Sequence, residues 1–385
     1  MSGFFTKDIA VLDVSSHLFS AIIGAKSMQS VFCIKALNEK EYAGFEDGEW
    51  LDNEDTVTSA SEVLKDALDA SNSKTKTLFI GVPAEFIAVV NKEVSITLDK
   101  TRRVIDADID FLLKKGDTFD HDKYLTINSS AVYFSVDTTD KLFNDVRGLS
   151  AKCVTARISY ILCDRKFVLM FDKIAKSKGF KDIQYISSSW AEGLSLLEKE
   201  QRDQTYVIVN IGYISSSITI GRGDGVLDIK SFSLGGGHIS EDIYDCLDVP
   251  FELAEKAREL VDLNLAYSPE AILVSDSKNT IFALEASEIV KASLDIFADI
   301  ISDVLKELPQ DIPSYMSIYL TGEGVASMRG VKKYMSSLLG KNVEILTPKL
   351  PMFVKPKDSS KISLLTVAET LAKPSLFDRI RNIAN

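Results

Sequence analysis

The chain opens on a short apolar run that ends in an acid, residues 9–13 (IAVLD). Ser15 and Ser16 follow, and then a second apolar run over 19–23. Such runs on either side of a small polar turn predict a β-hairpin. Over 55–70 the apolar positions Val57, Ala60, Val63, Leu64, Ala67 and Leu68 recur at helical spacing, and residues 77–81 (TLFIG) read as the next strand. From about 85 to 165 the pattern changes to strand-like stretches at 86–90, 123–127, 131–136 and 151–158 around one helix near 101–114. That predicts a compact α+β insertion. An amphipathic helix over 166–178, a strand at 182–186 and a helix across 190–200 come next.

A second hairpin begins at Tyr206. Residues 206–210 (YVIVN) read as a buried strand, 212–217 as a small polar turn and 217–220 as the return strand. After the turn signal Gly223-Asp224-Gly225, a third strand over 226–232 leads through Leu234-Gly235-Gly236-Gly237 to a helix over 240–247. A strand ending in a glycine-containing turn follows at 317–325, then helices over 328–338 and 364–371. The device of strand, acid or amide, small turn and return strand therefore occurs twice, near 9–23 and 206–220. Two copies predict a duplicated α/β protein of two lobes with a cleft between them.

Composition narrows the function classes. With 385 residues and 45% hydrophobic content the chain can bury more than one core. A net charge of -12 gives an acidic surface, which argues against nucleic acid as a partner and against broad adsorption onto anionic lipid. Cys33, Cys153, Cys163 and Cys246 show neither CxxC spacing nor nearby histidine pairs, so free thiols are expected rather than a zinc site or disulfides. The most apolar later stretch, 158–171, is broken by Asp164, Arg165 and Lys166 and is too short to span a bilayer. With no leader pattern ahead of the first strand, a cytoplasmic protein is expected.

Three segments offer phosphate chemistry. The turn Asp13-Val14-Ser15-Ser16-His17 presents backbone N–H groups and two hydroxyls, with Asp13 placed to hold a hydrated magnesium ion. Asn210-Ile211-Gly212-Tyr213-Ile214-Ser215-Ser216-Ser217 presents the same device from the other half. Ser233-Leu234-Gly235-Gly236-Gly237-His238 runs into a helix, whose first N–H groups favour an anion. A fourth segment, Leu320-Thr321-Gly322-Glu323-Gly324, leaves room for a flat base against its glycines. Taken singly, each of these also reads as an ordinary turn or strand-to-helix connection.

In this order the four segments resemble the phosphate 1, phosphate 2 and adenosine motifs of the actin, heat-shock chaperone and sugar kinase superfamily. Trp190-Ala191-Glu192-Gly193-Leu194, then VIVNIGYISSSITI and SLGGGHISEDI, together with the insertion, resemble the FtsA family of bacterial division proteins. The resemblance implies an actin-like (ribonuclease H-like) two-lobed fold. Residues 1–84, 166–200 and 355–373 would form the first lobe and 85–165 an FtsA-type inserted subdomain. Residues 201–354 would form the second lobe, with a smaller subdomain inserted at about 235–305.

It also implies ATP with Mg2+ as cofactor. Asp13, Ser15 and Ser16 would face phosphate and the metal, and Asn210, Gly212 and Ser216 would form the second phosphate loop. Gly235, Gly236 and Gly237 would lie near the ribose and phosphates, with Glu255 and Arg258 of FELAEKARELV near ribose and adenine and Gly322, Glu323 and Gly324 lining the adenine pocket. Without the resemblance, Glu255 and Arg258 read as an exposed helix pair.

The departures are specific. The first loop has Asp13-Val14-Ser15 for DxG, Ser20 stands where a lysine is common, and the second loop carries Asn210 for aspartate. The stretch Ile186-Ser187-Ser188-Ser189 offers only hydroxyls where an acid or amide positions the attacking water. ATP binding with slow or absent hydrolysis is therefore expected.

At the C-terminus, Leu376, Phe377, Ile380 and Ile383 fall on one face of SLFDRIRNIAN beside Arg379 and Arg381, resembling a membrane-targeting helix. A terminal helix packed on the body is the other reading. The implied function is a polymerising adaptor that links the C-terminal peptide of FtsZ to the inner face of the cell membrane. A PilM-like pilus-assembly adaptor and a small-molecule kinase are the alternatives, the kinase lacking any apparent cleft acid beyond Asp13.

Overall fold

Strands buried on both faces build the frame of each half of the molecule. The structure, a computed structural model, describes residues 8–26, 32–51, 53–137, 139, 141–307 and 316–372. Strand β1 (Ile9–Val14) is buried at every position. Its Ala10, Leu12 and Val14 join one apolar cluster and its Ile9 and Val11 another. A strand covered on both faces needs a continuous apolar run, which is how residues 9–14 read.

Strands β2 (Leu18–Lys26) and β3 (Phe32–Glu41) continue from β1 as an antiparallel meander. The small hairpin of β4 (Phe45–Glu46) and β5 (Glu49–Trp50) leads to helix α1 (Asn53–Ser71) and then β6 (Thr77–Val82), parallel to β1. The chain now departs into a separate three-stranded antiparallel sheet of β7 (Ile87–Arg103), β8 (Tyr124–Val136) and β9 (Ser150–Asp164), with helix α2 (Asp106–Lys115) packed on its own apolar core. It returns through α3 (Arg165–Ser177), whose start is capped by Asp164 accepting the Lys166 N–H at 2.7 Å. Strand β10 (Asp182–Ser187) pairs with β6, and α4 (Ser188–Leu196) and the short α5 (Lys199–Arg202) follow.

The second half repeats the device. Strands β11 (Tyr206–Ile211), β12 (Ser216–Arg222) and β13 (Gly225–Phe232) form an antiparallel meander. Helices α6 (Gly236–Leu247) and α7 (Phe251–Leu260), the hairpin of β14 (Ile272–Ser275) and β15 (Thr280–Phe282), and the long α8 (Ala283–Lys306) come next. Strand β16 (Ile318–Thr321), helix α9 (Val331–Leu339) and strand β17 (Val343–Ile345) complete the second sheet. Its order, β13-β12-β11-β16-β17, matches β3-β2-β1-β6-β10 of the first. Helix α10 (Ser359–Leu371) then crosses back, and its Ile362, Leu364, Leu365 and Ala368 share a core with β1 and α4.

Gly81 on β6 permits this crossing, because a Cβ there would lie 2.4 Å from Leu364. The inserted sheet leans on β13 of the second half. Asn91 donates to the Leu227 carbonyl at 2.8 Å, and Gly225 is held to glycine by Val132, 2.8 Å from any Cβ. Among the described residues, no helix is long and apolar enough to cross a membrane.

Several expectations shift. The helix expected near 101–114 starts at Asp106, because residues up to Arg103 continue β7 against β9 past a bulge. Its N-terminus is fixed instead by Asp108, which accepts the Ile105 N–H at 3.0 Å and pairs with Arg102 at 2.7 Å. The stretches at 123–127 and 131–136 are one strand, β8, carrying two register shifts. The helix placed across 190–200 starts at Ser188, stops at Leu196 and gives way to α5. Helix α9 starts at Val331, three residues later than expected, because Gly330 before it sits at φ +82°. Helix α6 starts at Gly236 and α10 at Ser359, earlier than read, and β3, β14, β15, β17 and α8 were not anticipated. The expected membrane face, Leu376, Phe377, Ile380 and Ile383, lies outside the described residues.

Candidate functional site

The two hairpin turns face each other across a narrow cleft with about 100 Å³ of water-accessible space. Asp13, Ser15, Ser16, Asn210, Gly212, Ser216, Gly322 and Glu323 all line it, so the topology brings these expected residues together. Gly235, Gly236, Gly237, Glu255, Arg258 and Gly324 are not on its wall.

Asp13 ends β1 deep in the cleft, 6% exposed, and accepts the Ser360 hydroxyl of α10 at 2.8 Å. Burial pushes its carboxyl up to about 6, with the Ser360 bond opposing. Ser15 turns inward: its N–H and hydroxyl both donate to the Leu18 carbonyl at 3.0 Å, which leaves neither for a phosphate. Ser16 behaves differently. Its Oγ faces the N–H groups of Ile214 and Ser215 on the opposing turn, each at 3.4 Å.

On the second turn, Asn210 Nδ2 donates to Glu192 Oε1 at 2.6 Å, and Ser216 donates to the Leu234 carbonyl at 2.5 Å. The glycines behind this turn form a packed layer. Gly236 N–H donates to the Gly212 carbonyl, Gly237 N–H to the Tyr213 carbonyl and Gly324 N–H to the Ile211 carbonyl, each at 2.8 Å. Gly235 N–H goes to His238 Nδ1 at 3.1 Å. Any Cβ on Gly236 would lie 2.4 Å from Gly324, so only glycines permit this approach. The expectation that the first N–H groups of α6 await an anion is corrected: those of Gly236 and Gly237 are spent on the neighbouring loop.

Gly322 sits at φ +95°, against Asn210 and the Ile211 carbonyl. Arg258 is buried and donates to Ser240 at 2.9 Å and to the Gly324 carbonyl at 2.7 Å, which fixes the adenosine-type loop from behind. The reading of Glu255 and Arg258 as an exposed helix pair is therefore replaced. Glu255 accepts the Tyr213 hydroxyl at 2.7 Å and lies 3.6 Å from Arg258.

The richest chemistry comes from acids for which the sequence suggested no acid–base role. Glu192, on α4, is 1% exposed and lines the cleft; burial, with Asp13 nearby, pushes it up to about 8. Glu323 is pushed by burial up to about 7. The expectation of no cleft acid beyond Asp13 is therefore corrected, and so is that of hydroxyls alone beyond Ile186. One turn of α4 past Ser188 carries a carboxyl into the space between the hairpins. Ser187 caps α4 by accepting the Trp190 N–H at 3.2 Å, while Ser188 Oγ is buried in the cleft with no hydrogen-bond partner.

Two lysines balance these acids. Lys357 lines the cleft, and Lys361 lines it from α10, bound to Glu39 at 2.7 Å and Asp358 at 3.0 Å. Burial alone would lower Lys361, but these two partners outweigh it and hold the ammonium charged. Ser20, where a lysine was looked for, donates to the same Glu39 at 3.1 Å.

His17, beside Ser16, stacks on Tyr213 with ring centroids 4.4 Å apart and lies 3.5 Å from Glu323. Burial pushes its imidazole down to about 4, so it is neutral at pH 7.

Residue by residue, the site is mixed in its fit to a nucleotide. Asp13, the orphan Ser188 hydroxyl, Lys357 and Lys361 suit a phosphate–metal group. The spent glycine N–H groups and the Tyr213 ring work against the ribose end. Among the described residues no group of three or more His, Cys, Asp or Glu is arranged to hold a metal ion.

Two matched five-stranded sheets, a cleft between their hairpin turns and a helix crossing from one to the other define an actin-like ATPase fold. The solved PilM-PilN type IV pilus biogenesis complex matches over 94% of this chain and 98% of that chain, with a TM-score of 0.61 at 12% identity. MreB 5 of Spiroplasma citri bound to AMPPNP matches over 98% of this chain and 99% of that chain, with a TM-score of 0.57 at 11% identity.

Within that class the chain is similar in sequence to cell division proteins described as FtsA. The family profile described as Cell division protein FtsA matches residues 207–369. The cell division protein FtsA of Staphylococcus epidermidis is 21% identical over 383 residues, spanning 96% of this chain and 80% of that protein.

Proposed function

We propose that this chain is an actin-like adaptor of bacterial cell division, working as a polymerising scaffold at the inner face of the cell membrane. The reading rests on one observation above the rest. Similarity to a division FtsA runs through 96% of the chain, so it includes the inserted sheet as well as the two lobes. In this role the C-terminal peptide of FtsZ is the partner, and residues 374–385 supply a membrane contact that gains strength when copies are linked in a polymer.

The cleft takes ATP with Mg2+ in this proposal, with Asp13, Ser188 and Lys361 toward the phosphates. Turnover is slow or absent. A carboxyl held at about 8, as Glu192 is, is mostly protonated near neutral pH and so is seldom ready to accept a proton from water.

The test uses the purified full chain with the FtsZ C-terminal peptide and with vesicles of anionic phospholipid. Peptide binding and vesicle sedimentation are expected from the full chain. Deleting residues 374–385 should abolish sedimentation and leave peptide binding intact. No peptide binding, with capture of the cytoplasmic tail of a pilus membrane protein instead, would move the assignment to a PilM-like adaptor. Phosphorylation of a small acceptor would move it to a kinase.

A further inference from the structure

We propose that His17 and Tyr213 form an internal latch across the cleft, so that a nucleotide enters only by displacing it. This rests on the nucleotide reading above and assigns a regulation to the same site. The latch has a part from each lobe. His17 belongs to the first hairpin turn, between Ser16 and β2, and Tyr213 to the second, between β11 and β12. The rings stack at 4.4 Å with 30° between their planes.

Tyr213 is bonded on the second lobe's side, and His17 makes no hydrogen bond there. The Tyr213 hydroxyl donates to Glu255 of α7 at 2.7 Å, and His17 Nδ1 faces Glu323 of the loop after β16 at 3.5 Å. Next to the stack, Ser16 Oγ faces the N–H groups of Ile214 and Ser215. A serine hydroxyl thus stands where an anionic oxygen would take the same two donors.

The surrounding groups keep the latch shut without a ligand. Burial and the Glu255 bond raise the Tyr213 phenol, so it stays a donor. A neutral His17 stacks without bringing a second charge into the cleft. The Tyr213 carbonyl accepts the Gly237 N–H, tying the same residue to the start of α6. With about 100 Å³ open to water, the cleft is smaller than the roughly 300–1,000 Å³ of typical ligand pockets, and the stacked rings lie beside it, next in sequence to Ser16 and Gly212 on its wall.

The experiment is calorimetric titration of Mg·ATP into wild type, Tyr213→Gly, Tyr213→Phe and His17→Ala, with thermal unfolding of each in the absence of nucleotide. Tyr213→Gly should bind Mg·ATP at least tenfold more tightly than wild type and melt at a lower temperature without it. His17→Ala should shift both in the same direction by a smaller factor. Tyr213→Phe keeps the stack but loses the bond to Glu255 and should fall between wild type and Tyr213→Gly. If Tyr213→Gly fails to fold, His17→Ala and Tyr213→Phe decide the matter through the same two readouts. Folded variants that bind Mg·ATP no more tightly than wild type overturn the latch and leave the nucleotide reading standing. Absence of binding by wild type and every variant at millimolar Mg·ATP overturns the nucleotide reading, and the latch with it.

Discussion

Glu192 should make the protein less stable as pH rises, and its amide variant should remove that dependence. The carboxyl is 1% exposed, takes a hydrogen bond from Asn210 at 2.6 Å and is pushed from 4.5 up to about 8 by burial, with the Asp13 charge adding to the rise. The native state therefore holds a proton that the unfolded chain has already released between pH 4.5 and about 8. Stability falls as pH rises through a window in which the native state binds more protons. The contribution is fully present below about pH 4.5 and lost as pH passes 8. Moving proton affinity over that range corresponds to at most about 5 kcal/mol, a large part of the roughly 5–15 kcal/mol that holds a typical protein together. Glu192→Gln keeps the acceptor for Asn210 and cannot ionise. The assay is urea unfolding between pH 5 and 8.5 without divalent cations, read by the fluorescence of Trp50 and Trp190, the latter on the same helix. Asp13 and Glu323 titrate in both proteins, so the difference reports Glu192 together with its coupling to Asp13. The variant should match wild type near pH 5 and exceed it by a few kcal/mol at pH 8.5. A gap that stays constant with pH, or closes as pH rises, would show that Glu192 is solvated or ionised in the folded protein, contrary to the packing described.

Three further outcomes follow from the packing. Gly193→Ala would place a Cβ 2.6 Å from the Tyr206 hydroxyl, whose oxygen is buried without a partner; it should cost about 1–3 kcal/mol in denaturant unfolding. Tyr206→Phe in that background should recover part of the loss. Arg258→Ala removes the buried bonds to Ser240 and the Gly324 carbonyl and should cost about 2–4 kcal/mol by the same measurement. Gly322→Ala, at φ +95° and with a Cβ 2.3 Å from Asn210 Oδ1, should destabilise by more than about 1 kcal/mol and shift the cleft resonances of Asn210 in an NMR spectrum.

The hairpins were legible because β1 and β11 are buried on both faces, so burial itself wrote the apolar runs. The turn residues between them gave away the cleft for the same reason: small side chains sit where two backbones approach. Strand β3 was not legible. Its alternation is diluted by Lys35, Glu39 and Lys40 on a half-covered edge. Helix α8 did carry a readable period, with Ala286, Val290, Leu294, Phe297 and Ile301 all buried, but a bare sequence does not say where such a helix packs. Within the site, Glu192 lay inside a segment already singled out for its pattern. Its burial, however, depends on α4 starting at Ser188 and pointing toward Asn210, a tertiary fact. His17 was quoted as part of the first turn and given no role, because its partner Tyr213 comes from the other lobe.

The displaced lysine shows how far apart in sequence a site can be assembled. Looking for a cation on β2 finds Ser20, and the hairpin then seems to have lost its positive charge. In the folded protein Ser20 donates to Glu39 on the neighbouring strand, and Glu39 in turn receives Lys361 from α10. The charge is thus present, supplied by the last helix, and it acts on the acids around it: Lys361 opposes the rise of both Asp13 and Glu323. Helix α10 also sends Ser360 to Asp13 and seats Leu364 over Gly81, so one element packs the first lobe and sets the charge of the cleft. The cleft therefore depends on the closing segment of the described chain as much as on its opening strand. A reading of the two hairpins alone would judge it more acidic, and less fit for a phosphate, than the folded protein makes it.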